Sequence, residues 1–306
     1  MAQAQITRRW HNTLRGREGI TFYLFIAPWL VGFLVFTIGP LIASIVLSLA
    51  DYSIVTPPIF RGLGNYRDLF TEDRLFGLSL YNTAYYVFFF VPLQIALSLG
   101  LALLLNQQVR GLAIYRTLFY IPSIVPLVAN SILWIWILQP QWGLLNYLLS
   151  LIGVKGPLWL NSVAWSKPSL IMMSLWGSGG AMIIFLAGLQ GIPQHLYEAA
   201  EIDGANRWRK FWSITIPLLT PTIFFVLVLG VIGSFQVFTQ AYIMTGGGPA
   251  DSTLFYMFYL YRRAFVFHNM GYASAMAWIL FVIIFVLTLI QFTTARRWVY
   301  YEGERR

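Results

Sequence analysis

Six long stretches of the chain carry no Asp, Glu, Lys or Arg: 19–50, 75–109, 117–154, 168–197, 211–250 and 264–295. Each is long enough to cross about 30 Å of hydrocarbon, which takes about 20 mostly apolar residues in a helix. Trimming at Gly, Pro and polar punctuation predicts helices over 22–49, 83–105, 117–138, 168–191, 214–240 and 273–294. Barrel strands would alternate apolar and polar residues with a period of two over short segments, and these runs do not. A helix also keeps its backbone hydrogen bonds to itself, which lipid demands. The pattern predicts an all-α integral membrane protein with six transmembrane helices.

Composition agrees. The chain is 58% hydrophobic and 10% charged, against about 25% charged for a soluble domain. It has no cysteine, which excludes disulfides, thiolate chemistry and a cysteine zinc site. The net charge of +9 does not indicate nucleic-acid binding, because the basic residues lie between apolar runs, as in membrane proteins. With six spans, one side carries Arg8, Arg9, Arg15, Arg17, Arg110, Arg116, Arg207, Arg209, Lys210, Arg296, Arg297, Arg305 and Arg306. The other carries Arg61, Arg67, Arg74, Lys155, Lys167, Arg262 and Arg263. Thirteen of the 20 basic residues on the first side place both termini in the cytoplasm by the positive-inside rule. The first apolar run exceeds a signal-peptide core of about 7–15 residues and is read as a retained helix.

The loop 192–221 is more than a linker. Pro193 suits a helix start, the residues from Leu196 to Asp203 are good helix formers, and Gly204 can adopt the left-handed conformation that ends a helix. A second amphipathic stretch from Arg207 leads to Pro217 and Pro221. Ala199 and Ala200 let another surface approach the backbone closely, between fixed charges at Glu198, Glu201 and Asp203 and at Arg207, Arg209 and Lys210. The residues alone also fit an amphipathic loop resting on headgroups, although three carboxylates facing an anionic leaflet count against it.

The succession Glu198-Ala199-Ala200, Asp203-Gly204-Ala205, Phe211, Ile214, Pro217 and Pro221 resembles the EAA loop of ABC-importer permeases. Thr245-Gly246-Gly247-Gly248-Pro249 with Thr253, then Ala264-Phe265, resembles an external loop of the carbohydrate-type branch. Gly62-Leu63-Gly64-Asn65-Tyr66, Leu103-Leu104-Leu105-Asn106, Tyr115-Arg116-Thr117 and Gly271-Tyr272-Ala273-Ser274-Ala275 agree, so the likeness spans about 20–295. It implies a type I ABC importer permease fold, with 1–21 a cytoplasmic tail, 22–295 the six-helix domain, 192–216 the coupling loop and 296–306 a second tail. Glu198, Ala199, Ala200, Asp203, Gly204 and Ala205 would form a coupling helix that docks on an ATPase subunit.

The resemblance further implies a bacterial or archaeal cytoplasmic membrane and a related but not identical second permease as heterodimer partner. Two ATP-binding cassette subunits and an extracytoplasmic sugar-binding protein would complete the assembly. The substrate would be a di- or oligosaccharide, with glycerol phosphate or another polyol derivative as the alternative. This chain has no Gly-x-x-x-x-Gly-Lys-Ser/Thr loop for phosphate. It is expected to bind no cofactor and catalyse nothing, leaving ATP and Mg to the partner ATPases. His11, His195 and His268 are scattered and read as surface residues.

No charged residue falls inside a predicted span, which disfavours an ion-coupled secondary transporter and suits a neutral, hydroxyl-rich substrate. A membrane enzyme would need a cluster of acids, histidines or a metal, and only the carboxylates of 198–203 offer one. Along the substrate path the candidates are Trp176 and Ser178 around a glycine-rich break in the fourth span, and Ser234, Gln236 and Gln240 in the fifth. Gln236 and Gln240, four apart, would share a helix face. The alternatives are a small-residue helix contact at the glycines and interhelical hydrogen bonds at the glutamines.

Overall fold

The computed structural model describes residues 14–107 and 110–300. Arg8, Arg9, His11, Arg305 and Arg306, and the ends of both expected tails, lie outside the described residues, as do the side chains of Arg15 and Arg17. Four spans are continuous or nearly so. Helix α1 (Leu14–Phe33) passes through a π-turn (Leu34–Ile38) into α2 (Gly39–Ser48). A short α3 (Gly64–Thr71) precedes α4 (Arg74–Leu105). The other two continuous spans are Arg207–Phe235 and Met270–Trp298.

The third and fourth spans are broken. Helices α5 (Leu112–Ile124) and α6 (Leu127–Ile137) meet at 100°. Pro126 disfavours helical backbone at the residue before it, and Val125 is extended, with φ −63° and ψ 130°. After a short helix α7 (Leu144–Leu151), α8 (Val163–Trp176) and α9 (Gly179–Gln190) meet at 49° across Gly177 and Ser178. The loop 192–206 carries α10 (Gln194–Ile202). Helix α11 (Arg207–Lys210) continues through a π-turn into α12 (Ile216–Phe235). Two short helices, α13 (Thr239–Met244) and α14 (Tyr256–Tyr261), precede α15 (Met270–Trp298).

Several boundaries differ from the sequence expectation. The second span starts nine residues before 83, at Arg74, because Asp73 caps it: its Oδ1 accepts from the N–H of Leu75 at 2.9 Å and of Phe76 at 3.1 Å. The fifth span starts at Arg207, not 214, and ends at Phe235, not 240. Both expected tails begin in helix: α1 is already helical at Leu14 and α15 continues to Trp298. The longer helices also contain charges. Lys167 in α8 donates to Asn82 Oδ1 at 2.9 Å and lies over the Tyr81 and Tyr85 rings. Arg116 in α5 donates to the Leu105 carbonyl at 3.1 Å. Each sits in an end turn and is paired, which a rule based on charge-free runs could not anticipate.

Burial divides into two larger clusters and a small one of Phe224, Ala295 and Val299. Of the larger two, one includes Trp134, Leu170, Phe235, Phe255, Tyr256 and Met276. The other includes Ala102, Met182, Phe185, Leu189 and Leu219. The first span stands apart: no residue of its most apolar window is buried.

One carboxylate holds several elements together at one end of the bundle. Asp73 Oδ2 accepts from Tyr259 and Tyr272, both at 2.5 Å, and from Arg263 at 2.8 Å, joining α4, α14, the turn after it and α15. Burial would raise the Asp73 pKa, but the phenol, guanidinium and backbone donors outweigh it and hold it below its ordinary 3.8. Burial and donation to Asp73 push the Tyr259 phenol up. Nearby, Asn65, itself buried, donates to the carbonyls of Ser48 at 2.9 Å and Ala50 at 2.8 Å, tying α3 to the end of α2.

Asp73→Ala should destabilise the protein by about 2 kcal/mol, since two phenols and a part-exposed guanidinium lose their acceptor. A lowered thermal midpoint in detergent is the readout. A carboxylate with a depressed pKa stabilises fully above its unfolded value, and that contribution is lost as pH falls through the folded value. The midpoints of wild type and Asp73→Ala should therefore converge on acidification below 3.8.

Candidate functional site

Three helix breaks converge on one cavity. Val125 from the α5–α6 break, Gly177 from the α8–α9 break, and Gln236, Val237 and Phe238 from the gap between α12 and α13 all line a space of about 430 Å³. Non-helical backbone at membrane depth is tolerated where it borders protein or a water-filled cavity, so the breaks and the cavity explain one another. The third break lacks Pro and Gly. Phe238 leaves the helical region, with φ −142° and ψ −63°, and Gln236 Nε2 turns back to the Ile232 carbonyl at 3.1 Å.

The remaining wall comes from Tyr86, Phe90 and Gln94 on α4, Asn130 on α6, Ser174 on α8, and Gly230, Gly233 and Ser234 on α12. Tyr86 donates its hydroxyl to Ser174 Oγ at 2.8 Å and accepts from Gln240 Nε2 at 3.3 Å. These two bonds tie α4, α8 and α13 together at the cavity wall. Gln94 Oε1 is buried without a protein hydrogen-bond partner, leaving an acceptor for a ligand or water. The lining thus combines aromatic faces with amides and hydroxyls and contains no charged side chain.

The sequence candidates distribute unevenly. Ser234, Gln236 and Gln240 line the cavity, and Trp176 and Ser178 do not. Trp176 is half-exposed and meets Trp134 edge-on at 5.6 Å. Ser178 is buried, and its carbonyl accepts from Ser98 at 3.1 Å. Gln236 and Gln240 do not share a helix face, because α12 ends between Ser234 and Gln236 and Gln240 belongs to α13. The glycines do both things expected of them: Gly177 lines the cavity, while Gly179 lets α9 touch α5, and a Cβ there would lie 2.2 Å from the Phe119 carbonyl oxygen. Tyr86, Ser174 and Gln94 were not anticipated, although Gln94 is a lone amide in an apolar span.

The loop 192–216 lies at the far end of α12 from the cavity. Gly204 ends α10 at φ +73°. The Ala205 N–H reaches the Ala200 carbonyl at 2.9 Å and the Gly204 N–H the Glu201 carbonyl at 3.0 Å, the paired bonds of a Schellman turn. Asn206 then caps α11 through the Arg209 N–H at 2.8 Å. Lys210 bonds Glu201 at 2.5 Å, holding that carboxyl below the usual carboxylate range. Glu198, Ala199, Asp203 and Gly204 are exposed, Ala200 and Ala205 partly so, and Ile202 is 88% exposed. Ala200, Asp203 and Ala205 border a small cleft with Arg209 and Ile214. A rigid turn thus presents small and acidic residues outward.

A family described as "Binding-protein-dependent transport system inner membrane component" matches residues 82–300. The chain belongs to this family. It is an ABC-transporter permease, a multi-pass component of the inner membrane. A probable ABC transporter permease, YesP of Bacillus subtilis, is 45% identical over 94% of both chains. The trehalose/maltose permease MalF of Thermococcus litoralis is 34% identical, covering 93% of this chain and 97% of its own length. The sulfoquinovosyl glycerol permease SmoG of Agrobacterium fabrum is 32% identical over 92% of each. Among solved structures, a chain of a bacterial ABC transporter importing alginate superposes with a TM-score of 0.79 at 26% identity, covering 92% of this chain and 96% of its own. A chain of an alginate transporter bound to its pentasaccharide-loaded periplasmic protein gives 0.82 at 24% identity, covering 94% and 98%, and shares the fold. The type I permease architecture is therefore shown.

The two glycines of the broken fourth span should respond oppositely in this permease. Gly179→Val forces α5 and α9 apart and should cost about 1–3 kcal/mol as overpacking. Gly177→Ala, whose added carbon would stand 3.5 Å from the Ser174 carbonyl, should change stability by less than about 0.5 kcal/mol. Thermal unfolding of the purified variants measures both.

Proposed function

We propose that this permease imports a sugar, a di- or oligosaccharide, through the cavity at its three helix breaks, driven by ATP hydrolysed on separate subunits. The observation that carries this reading is one continuous helix. From Arg207 beside the Schellman turn to Phe235 at the cavity it runs 29 residues, about 43 Å at 1.5 Å per residue. A displacement imposed on α10 would pass through the hydrogen-bonded turn 203–206 and then along a single helix to Gly230, Gly233 and Ser234. An ATPase dimer that closes on ATP would pull α10 and tilt that helix. ATP can favour the switch only by interacting differently with the two states, and the exposed face of α10 is suited to making that difference.

Both termini then face the cytoplasm. A related, non-identical permease would supply the second half of the path, and a solute-binding protein would deliver sugar from outside. ATP and Mg would be held by the two ATPase subunits, with no cofactor and no catalysis in this chain. The sugar assignment rests on relatives whose names specify trehalose/maltose, lactose and arabinooligosaccharides, and on the cavity's amide, hydroxyl and aromatic groups. Gln236, Gln240, Ser234 and Gln94 would bond sugar hydroxyls.

The test is copurification and transport in the co-expressed complex. Glu198→Lys and Gly204→Val should leave the chain in the membrane, release or uncouple the ATPase subunit and lower ATP-driven uptake at least tenfold. Retained ATPase and normal uptake in both variants would refute the coupling role. Uptake unaffected by ATP depletion would point to a secondary transporter. Because the chain has no cysteine, single substitutions report topology: in intact cells an impermeant maleimide should label Ile59→Cys and spare Ile202→Cys.

A further inference from the structure

A second recess lies away from the transport cavity. Ile45 on α2, Tyr66 and Phe70 on α3, Leu80 on α4, and Trp278 and Val282 on α15 line a groove of about 590 Å³ whose walls are almost wholly apolar. It is built rather than incidental. Asn65 fixes α3 to the carbonyls of Ser48 and Ala50, Tyr66 donates to Ser48 Oγ at 2.8 Å, and Trp278 donates to Ser44 Oγ at 3.1 Å. Roof and walls are thus held by hydrogen bonds, and Phe70, Ile45 and Val282 remain 69%, 41% and 52% exposed along the opening. These bonds leave the tryptophan ring free to face an apolar occupant.

Charge at the rim narrows the occupant. Arg67 follows Tyr66 and precedes Phe70 by three positions, so it flanks the groove-lining face of α3. Arg67 and Arg74 are exposed and, among the described residues, form no ion pair. Two neighbouring carboxylates are already neutralised, Asp68 by Arg61 at 2.9 Å and Asp73 by Arg263 at 2.8 Å, leaving Glu72 as the acidic residue of the connection. An apolar groove whose α3 wall also carries the exposed Arg67, with the exposed Arg74 at the start of α4, matches an amphiphile with a hydrocarbon tail and an anionic phosphate head.

We propose that this groove is a binding site for one anionic glycerophospholipid of the outer leaflet, with an acyl chain between α2, α4 and α15 and its phosphate on Arg67, assisted by Arg74. The leaflet follows from the proposed orientation, which the cysteine labelling above tests separately. Bound there, the lipid would add an apolar contact among α2, α3, α4 and α15, which hydrogen bonds already hold together.

The assembled transporter, reconstituted in nanodiscs, can be probed with phosphatidylglycerol or phosphatidylcholine carrying a diazirine on one acyl chain, followed by peptide mapping. Wild type should crosslink in peptides containing Phe70 and Trp278, at least fivefold more with phosphatidylglycerol. Arg67→Ala should reduce that preference to near unity without abolishing labelling. Leu80→Trp, which fills the slot, should abolish labelling at Trp278 with both probes. Equal labelling of wild type by the two lipids would mean ordinary annular contact and overturn the proposal. Absence of labelling in the assembled complex would mean the partner permease covers the groove, and would overturn it equally.

Discussion

Hydrocarbon offers a peptide group no hydrogen-bond partner except another peptide group or a protein side chain. Everything else in this permease follows from where that constraint is met and where it is relaxed. It is met along α4, α12 and α15, which traverse the membrane almost without interruption. It is relaxed at 125–126, 177–178 and 236–238, and the three places lie around one cavity. The protein has gathered its backbone irregularity where water or a hydroxylated ligand can satisfy it. The location of the cavity is thus a by-product of hydrogen-bond accounting as much as of any single side chain.

Polar pairing fixes the end of the bundle around Asp73 where apolar packing cannot. Lipid tails are as apolar as leucine, so helices in a membrane gain little from burying leucine against leucine. Asp73 accepting from two tyrosines and an arginine, Asn65 bridging two carbonyls and Lys167 on Asn82 supply directional contacts instead. At the opposite end the structure leaves a stiff, outward-facing turn. Between them runs the helix Arg207–Phe235, so one end of the molecule is fastened and the other is offered to a partner.

The sequence made some of this legible and hid the rest for identifiable reasons. Charge-free runs revealed six spans because Lys, Arg, Asp and Glu are expensive in lipid. Gly204 was readable as a helix stop because a positive φ leaves few alternatives. The break at Pro126 could have been anticipated from proline alone. The break at 236–238 could not: Gln-Val-Phe carries no breaker, and the turn depends on Gln240 meeting Tyr86, 154 positions away in the chain. For the same reason the shared face expected of Gln236 and Gln240 dissolved once the helix ended between them. Asp73 and Asn65 looked like ordinary loop residues, since their partners lie far along the chain or across a turn. Trp176 and Ser178 flank the glycine at the bend between α8 and α9, and of the three it is Gly177 that lines the cavity.

The unequal packing of the first span carries a consequence for what surrounds it. Its second half, α2, is bonded to α15 through Trp278 and Ser44, while no residue of the span's most apolar window is buried. Phe25, Trp29 and Phe36 are among the side chains left exposed there. They make a broad apolar edge that water cannot solvate, so lipid or another transmembrane helix has to complete the surface of the subunit on that side.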